Sequence, residues 1–79
     1  MKLPSLPARK ILPILYKIGF YERSKHGSHL TLKRDSDGRM VTIPIHPGRD
    51  IPKGTLRSII DQAGLTQQKF IQLLRKKRA

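Results

Sequence analysis

Three histidines, His26, His29 and His46, fall in one central stretch of this chain, among Lys25, Lys33 and Arg49. Histidine has the side chain whose ordinary pKa lies nearest neutrality, which suits it to giving and taking protons at physiological pH. Imidazoles beside cations meet the needs of one reaction in particular, cleavage of RNA through its own 2′-hydroxyl. One group must remove the 2′-hydroxyl proton, and another must protonate the departing 5′-oxygen. Positive charge must offset the phosphorane-like transition state. Exposed histidines among lysines are also what an ordinary solvated surface looks like, so residue type alone does not decide the matter. A His-only metal site is the weaker alternative, because the three share no helical ligand spacing and five acidic residues offer few supporting ligands. The expectation is therefore no metal and no cofactor.

Charge points to the same class of substrate. In 79 residues, 17 Lys and Arg stand against 5 Asp and Glu, a formal net charge of +12. Such an excess costs stability through self-repulsion and makes sense when the partner is a polyanion, with RNA the first candidate. A ribosomal-type basic surface is the alternative. With no Trp, two Phe and two Tyr, aromatic base-stacking platforms have little material. The absence of cysteine removes disulfides and fits a reducing cytoplasm. Met1-Lys2-Leu3-Pro4 lacks the apolar run of a signal peptide, and no segment approaches a membrane span. The length predicts a single domain over residues 1–79.

A second candidate contact lies at Lys53, Gly54, Thr55 and Arg57, around an expected helix N-terminus whose free N–H groups favour anions. The plainer reading is a helix cap carrying two exposed cations. The basic end Arg75-Lys76-Lys77-Arg78 would add unspecific attraction to RNA.

The elements that must position these groups follow from periodicity. Leu6 to Ile18 reads as an amphipathic helix with Ile11, Ile14, Leu15 and Ile18 on one stripe and Pro7 in its first turn. Pro13 should kink it and Gly19 should end it. Phe20 to Ser24 is a short strand, and Lys25-His26-Gly27 a turn. Ser28 to Arg34 and Met40 to Ile45 both alternate, joined by the strong turn signal Asp35-Ser36-Asp37-Gly38. Pairing Arg34 with Arg39 sets Leu32 against Val41 and Leu30 against Ile43. It then brings Thr31 to Thr42 and His29 to Pro44 on the opposite, uncovered face, with His46 near Gly27. A one-residue slip would destroy the match of apolar sets. Pro44, with no N–H for the ladder, places its strand at an edge or ends it. Thr55 is the expected N-cap of a helix from Leu56, burying Leu56, Ile59, Ile60 and Ala63. Thr66 should cap a last short helix, with Leu65 packing on Phe70. Helices on one face of a small antiparallel sheet make an α+β sandwich.

Gly19-Phe20, Gly27-Ser28-His29, Pro44-Ile45-His46-Pro47-Gly48, Gly54-Thr55-Leu56-Arg57-Ser58-Ile59 and Ala63-Gly64-Leu65 follow one another at set distances. In order and spacing these segments resemble the HicA toxin family. The resemblance runs from about Ala8 to Leu74, and Pro13 is its one unusual feature. It implies an α-β-β-β-α fold like a double-stranded-RNA-binding domain, here with a short extra C-terminal helix, and an activity that cleaves mRNA. It makes the histidine of Gly-Ser-His, His29, catalytic; the residues nearby leave Ser28, His26 and His46 as candidate supports, His46 alternatively only holding its loop. Lys25, Lys33, Arg49, Lys53 and Arg57 become candidate RNA contacts. It further implies a HicB-type antitoxin partner that binds and inhibits the toxin in a hetero-oligomer. A non-catalytic RNA-binding module of the same fold is the alternative. A DNA-binding regulator is disfavoured, since the second and third helices both look committed to the core.

Overall fold

In chain order the elements are β1 (Leu6–Pro7), α1 (Ala8–Lys17), β2 (Tyr21–His26), β3 (His29–Arg34), β4 (Arg39–Pro44), β5 (Asp50–Ile51), α2 (Lys53–Gln62) and α3 (Gln67–Arg75). The computed structural model describes residues 3–76, so Lys77 and Arg78 of the basic end, like Met1 and Lys2, lie outside it. The expected α+β class holds. A three-stranded antiparallel sheet, β2-β3-β4, carries the helices on one face in an α-β-β-β-α arrangement with a further helix at its end. No helix among the described residues is long and apolar enough to cross a membrane.

The β3–β4 register is the one the apolar pattern demands. Arg34 pairs with Arg39, Leu32 with Val41, Leu30 with Ile43, Thr31 with Thr42 and His29 with Pro44. Leu30, Leu32, Val41 and Ile43 are all buried, and His29 and Thr42 are exposed on the other face. The core forms where this apolar face meets Ile11, Ile14 and Leu15 of α1, Leu56, Ile59 and Ile60 of α2, and Phe70 of α3. Every buried side chain among the described residues is hydrophobic. Pro44 ends the edge strand β4, as expected of a residue with no N–H to donate.

Both large helices begin differently from the sequence expectation, and proline is the reason in each case. Leu6 precedes Pro7 and is driven towards extended backbone. It joins Pro7 in a two-residue ladder against β5, Leu6 to Ile51 and Pro7 to Asp50, so α1 starts only at Ala8. Likewise Pro52, extended at φ −59 and ψ 152, caps α2, and the helix starts at Lys53, three residues before the expected Leu56. Its carbonyl accepts from Leu56 N at 2.9 Å, which places Thr55 inside the first turn rather than at the cap. Thr66 does cap α3, accepting from Lys69 N at 3.0 Å, and Leu65 packs on the core beside it. α1 runs through Pro13 without a break. Pro13 is exposed, so water can serve the Arg9 carbonyl left without its helical partner.

α1 and α2 end alike. Gly19 (φ 103) and Gly64 (φ 78) take left-handed backbone. Phe20 N then returns to Leu15 O at 3.0 Å, and Leu65 N to Ile60 O at 3.0 Å, the long bond of a Schellman motif. Both motifs leave the C-cap carbonyl outside the helix. Arg34 takes both of them, donating to Ile18 O at 3.0 Å and Ala63 O at 3.2 Å, with its guanidinium 4.6 Å above the Phe20 ring. One side chain thereby fixes the C-termini of two helices at the β3–β4 turn.

Candidate functional site

Gly27 and Ser28 join β2 to β3 in a two-residue loop, narrower and one position later than the expected Lys25-His26-Gly27 turn. Gly27 has φ +59, and no non-glycine residue among those described has positive φ. Positive then negative φ is the sign pattern of a type II′ turn, which matches the right-handed twist of the flanking strands and takes glycine first. The residues on either side of this turn are His26 and His29, and they are direct cross-strand partners. Their side chains therefore share a face, the one opposite Leu30 and Leu32. On its other side His29 meets Pro44. Both histidines are exposed, and Ser28 is half-buried.

The loop after β4 closes against the same turn. Ile45 N donates to Ser28 O at 2.6 Å, which brings the backbone next to exposed His46 up to the Gly-Ser corner. Arg49 N in turn donates to His46 O at 3.0 Å, and the chain enters β5.

Polarity of the whole domain converges on this end. Arg34 gathers the C-termini of α1 and α2 at the β3–β4 turn, so both N-termini lie at the opposite end of the sheet, the end of His26 and His29. The β1–β5 ladder joins the two helix starts there. Two helix dipoles thus turn their positive ends the same way. Neither first turn holds an acidic residue. Arg9 and Lys10 begin α1, Lys53 begins α2, and Arg57 follows Lys53 at the i+4 spacing that places both on one side of the helix; all four are exposed.

The acidic residues of the three-stranded sheet are held away from it, while exposed Asp50 of β5 lies at this end. Asp37 accepts from Arg34 Nε at 3.1 Å and from a terminal guanidinium nitrogen at 2.7 Å, and it also pairs with Arg39 at 3.4 Å. Arg34 is the main reason its pKa falls to about 2. Asp35 accepts from the Tyr21 hydroxyl at 2.8 Å and lies 3.9 Å from Lys33. Glu22 accepts from the Tyr16 hydroxyl, and that bond raises the tyrosine pKa to about 12. Three of the five carboxylates are thus occupied by internal partners, two of them in the turn farthest from the histidines.

The expected site residues fall into two groups. His26, His29, Ser28, the His46 loop, Arg49 and the Lys53–Arg57 pair share one end of the domain. Lys25 is at that end too, but it pairs with Leu30 and so alternates to the helix-covered side of the sheet. Lys33 is on the His29 face, yet it sits towards the far turn beside Asp35. The sequence reading missed Arg9 and Lys10, because nothing in α1 alone tells which end of the sheet its start will reach. Among the described residues no three His, Asp or Glu side chains form a metal-ligand cluster.

No match was found among curated proteins. A family model described as the HicA toxin of bacterial toxin–antitoxin systems matches residues 8–65, from the first residue of α1 to just beyond the glycine that ends α2. That stretch holds the whole three-stranded sheet, the Gly-Ser-His corner and both positive helix ends, and the chain belongs to the HicA family of toxins.

Proposed function

We propose that this toxin is an mRNA interferase, an endoribonuclease that works in the cytoplasm and arrests translation and growth by cutting mRNA. His29 acts as an acid–base group on the scissile phosphate. What supports the reading is the placement of an exposed histidine, next to Gly27 and Ser28, at the end of the domain where cations and two helix N-termini meet. The phosphate backbone is drawn to that end by Arg49 and by Lys53, Arg57, Arg9 and Lys10, the last four standing on the helix side of the sheet.

The substrate's own 2′-hydroxyl is the nucleophile. Its oxygen bonds to phosphorus as its proton leaves, the bond from phosphorus to the 5′-oxygen breaks, and that oxygen is protonated. The products are a 2′,3′-cyclic phosphate, opened later to a 3′-phosphate, and a free 5′-hydroxyl. No metal is needed for these transfers. The partner is a HicB-type antitoxin, which inhibits by laying acidic groups over His29 and its basic surroundings and so competes with RNA for one surface.

The deciding experiment uses a defined RNA and a copy with one deoxyribose at the cut position, each with and without chelator. Cleavage of the first in chelator, with sparing of the second at that position, is the expected result. Loss of cutting in chelator, or cutting at the deoxyribose, would transfer the reaction to metal-activated water. Binding without any cleavage would make the chain a non-catalytic RNA-binding module.

A further inference from the structure

We infer that His26 is the second member of the catalytic pair, so that His26 and His29 divide the acid and base roles between them; this rests on the ribonuclease reading of the same site. Transesterification of RNA moves two protons, one off the 2′-oxygen and one onto the 5′-oxygen. A single imidazole would have to carry a proton from one side of phosphorus to the other, because attacking and leaving oxygens lie roughly in line. Two imidazoles on one face, held about 5 Å apart at their Cβ atoms by direct cross-strand pairing, can instead flank the phosphate.

The sheet supplies one such arrangement around His29. Its direct neighbour on β4 is Pro44, which cannot transfer a proton, and its direct neighbour on β2 is His26. The next pairs on the same face are Ser24 with Thr31 and Thr31 with Thr42, again without a group that titrates near neutrality. His46 lies beyond the end of β4, outside the ladder that fixes the other two. The two-residue turn holds His26 and His29 at its base, where a hairpin is least able to splay. Both side chains are exposed and so open to a substrate.

In the step, one imidazole takes the 2′-hydroxyl proton while the 2′-oxygen bonds to phosphorus. The other, protonated beforehand, gives its proton to the 5′-oxygen as the phosphorus–oxygen bond breaks. The pair ends with its protons exchanged and resets through solvent.

The test compares the full chain with His26→Ala and His29→Ala on two oligonucleotides, a natural RNA and one with sulfur in place of the bridging 5′-oxygen. A thiolate leaves without protonation, so loss of the acid is bypassed and loss of the base is not. Each variant is expected to lose about a hundredfold or more on the natural RNA. One of the two, and only one, should recover towards the wild-type rate on the sulfur substrate. Cutting of natural RNA by His26→Ala at the wild-type rate would overturn the pair and leave His29 in place. Two variants that both stay slow on the sulfur substrate would overturn it as well. His26→Asn gives the same comparison should the alanine variant fold poorly. A wild-type chain that cuts neither substrate would overturn the ribonuclease reading itself, an outcome distinct from the others.

Discussion

Asp37 accepts two hydrogen bonds from Arg34, at 3.1 and 2.7 Å, and by doing so aims the rest of that guanidinium at the carbonyls of Ile18 and Ala63. The charge pair is therefore a clamp on tertiary structure. It joins the β3–β4 turn to the C-termini of α1 and α2, at the end of the sheet away from the histidines. Arg34→Ala should cost about 2 kcal/mol, since charge-assisted bonds are lost and two helix-end carbonyls lose their donor. In a domain of this size that lowers the melting midpoint by roughly 8–16 °C. Arg34→Lys should recover only part, because an ammonium cannot reproduce the planar fork or the contact over Phe20. Thermal unfolding of the three chains checks this, and an unchanged midpoint in the alanine variant would mean that Arg34 clamps nothing.

The same pair sets a pH dependence. The Asp37 pKa is depressed to about 2, chiefly by Arg34, whereas a carboxylate in the unfolded chain titrates near its ordinary value of about 4. Its contribution to stability is therefore complete above about pH 4 and lost as pH falls through about 2. Asp37→Asn should make the melting midpoint less sensitive to pH across that window and leave its slope above pH 5 unchanged. Melting curves at several acid pH values decide it, and parallel curves for the two proteins would contradict it.

Function in the cell offers a direct readout of His29. Expression of the chain alone is expected to arrest bacterial growth, and His29→Ala to relieve the arrest, because loss of an acid–base group typically slows reaction about a hundred- to ten-thousand-fold. The variant should melt at the wild-type midpoint, since His29 is exposed and holds no partner in the core. A soluble His29→Ala chain that still arrests growth would end the assignment.

How much of this was legible in the sequence depended on the reach of each signal. The β3–β4 register was readable because Leu30, Leu32, Val41 and Ile43 must all land on one side, and only one alignment of the Asp35–Gly38 turn allows it. The buried stripe of α2 was readable for the same reason. The β1–β5 ladder was not, because two residues carry no periodicity and the pairing spans most of the chain. The direct partnership of His26 with His29 was missed by assigning His26 to the turn itself. Gly-Ser between alternating residues was the available sign, since glycine in first place marks a type II′ hairpin. Arg34 carried a fainter sign: it continues the alternation of Leu30 and Leu32, which puts a charge at the end of a buried row.

Salt dependence separates the helix-end cations from the rest of the surface. If Lys53 and Arg57 touch phosphate, removing both by alanine should reduce the slope of log affinity against log salt by about 1.5, near 0.7–0.9 per lost contact. Both are exposed, so the fold should survive. Binding of a non-cleavable RNA at several salt concentrations supplies the slopes. Identical slopes in the two proteins would move the RNA path off the start of α2.

The last expectation concerns the Gly27 backbone, which carries no chemistry of its own. Its φ of +59 is one that side chains bearing a Cβ rarely adopt, although open space surrounds the position, so a methyl group there meets no neighbour. Gly27→Ala must therefore either keep the turn with strain, at about 1–2 kcal/mol, or relax the loop and loosen the pairing at its base. In both cases the cost is conformational, and no imidazole, cation or core side chain is removed. Under the proposed reading, cleavage should fall at temperatures where the variant is still fully folded, while RNA affinity and its salt slope stay as in the wild type, because the cations have not moved. Gly38→Ala puts the same kind of strain, at φ +72 in open space, into the turn at the far end of the sheet and serves as the control. The measurement is single-turnover cleavage alongside equilibrium binding for the three proteins. Full cleavage by a folded Gly27→Ala chain would mean that the turn geometry does not matter to the reaction, and the functional importance of the Gly-Ser-His corner would then rest on His29 alone.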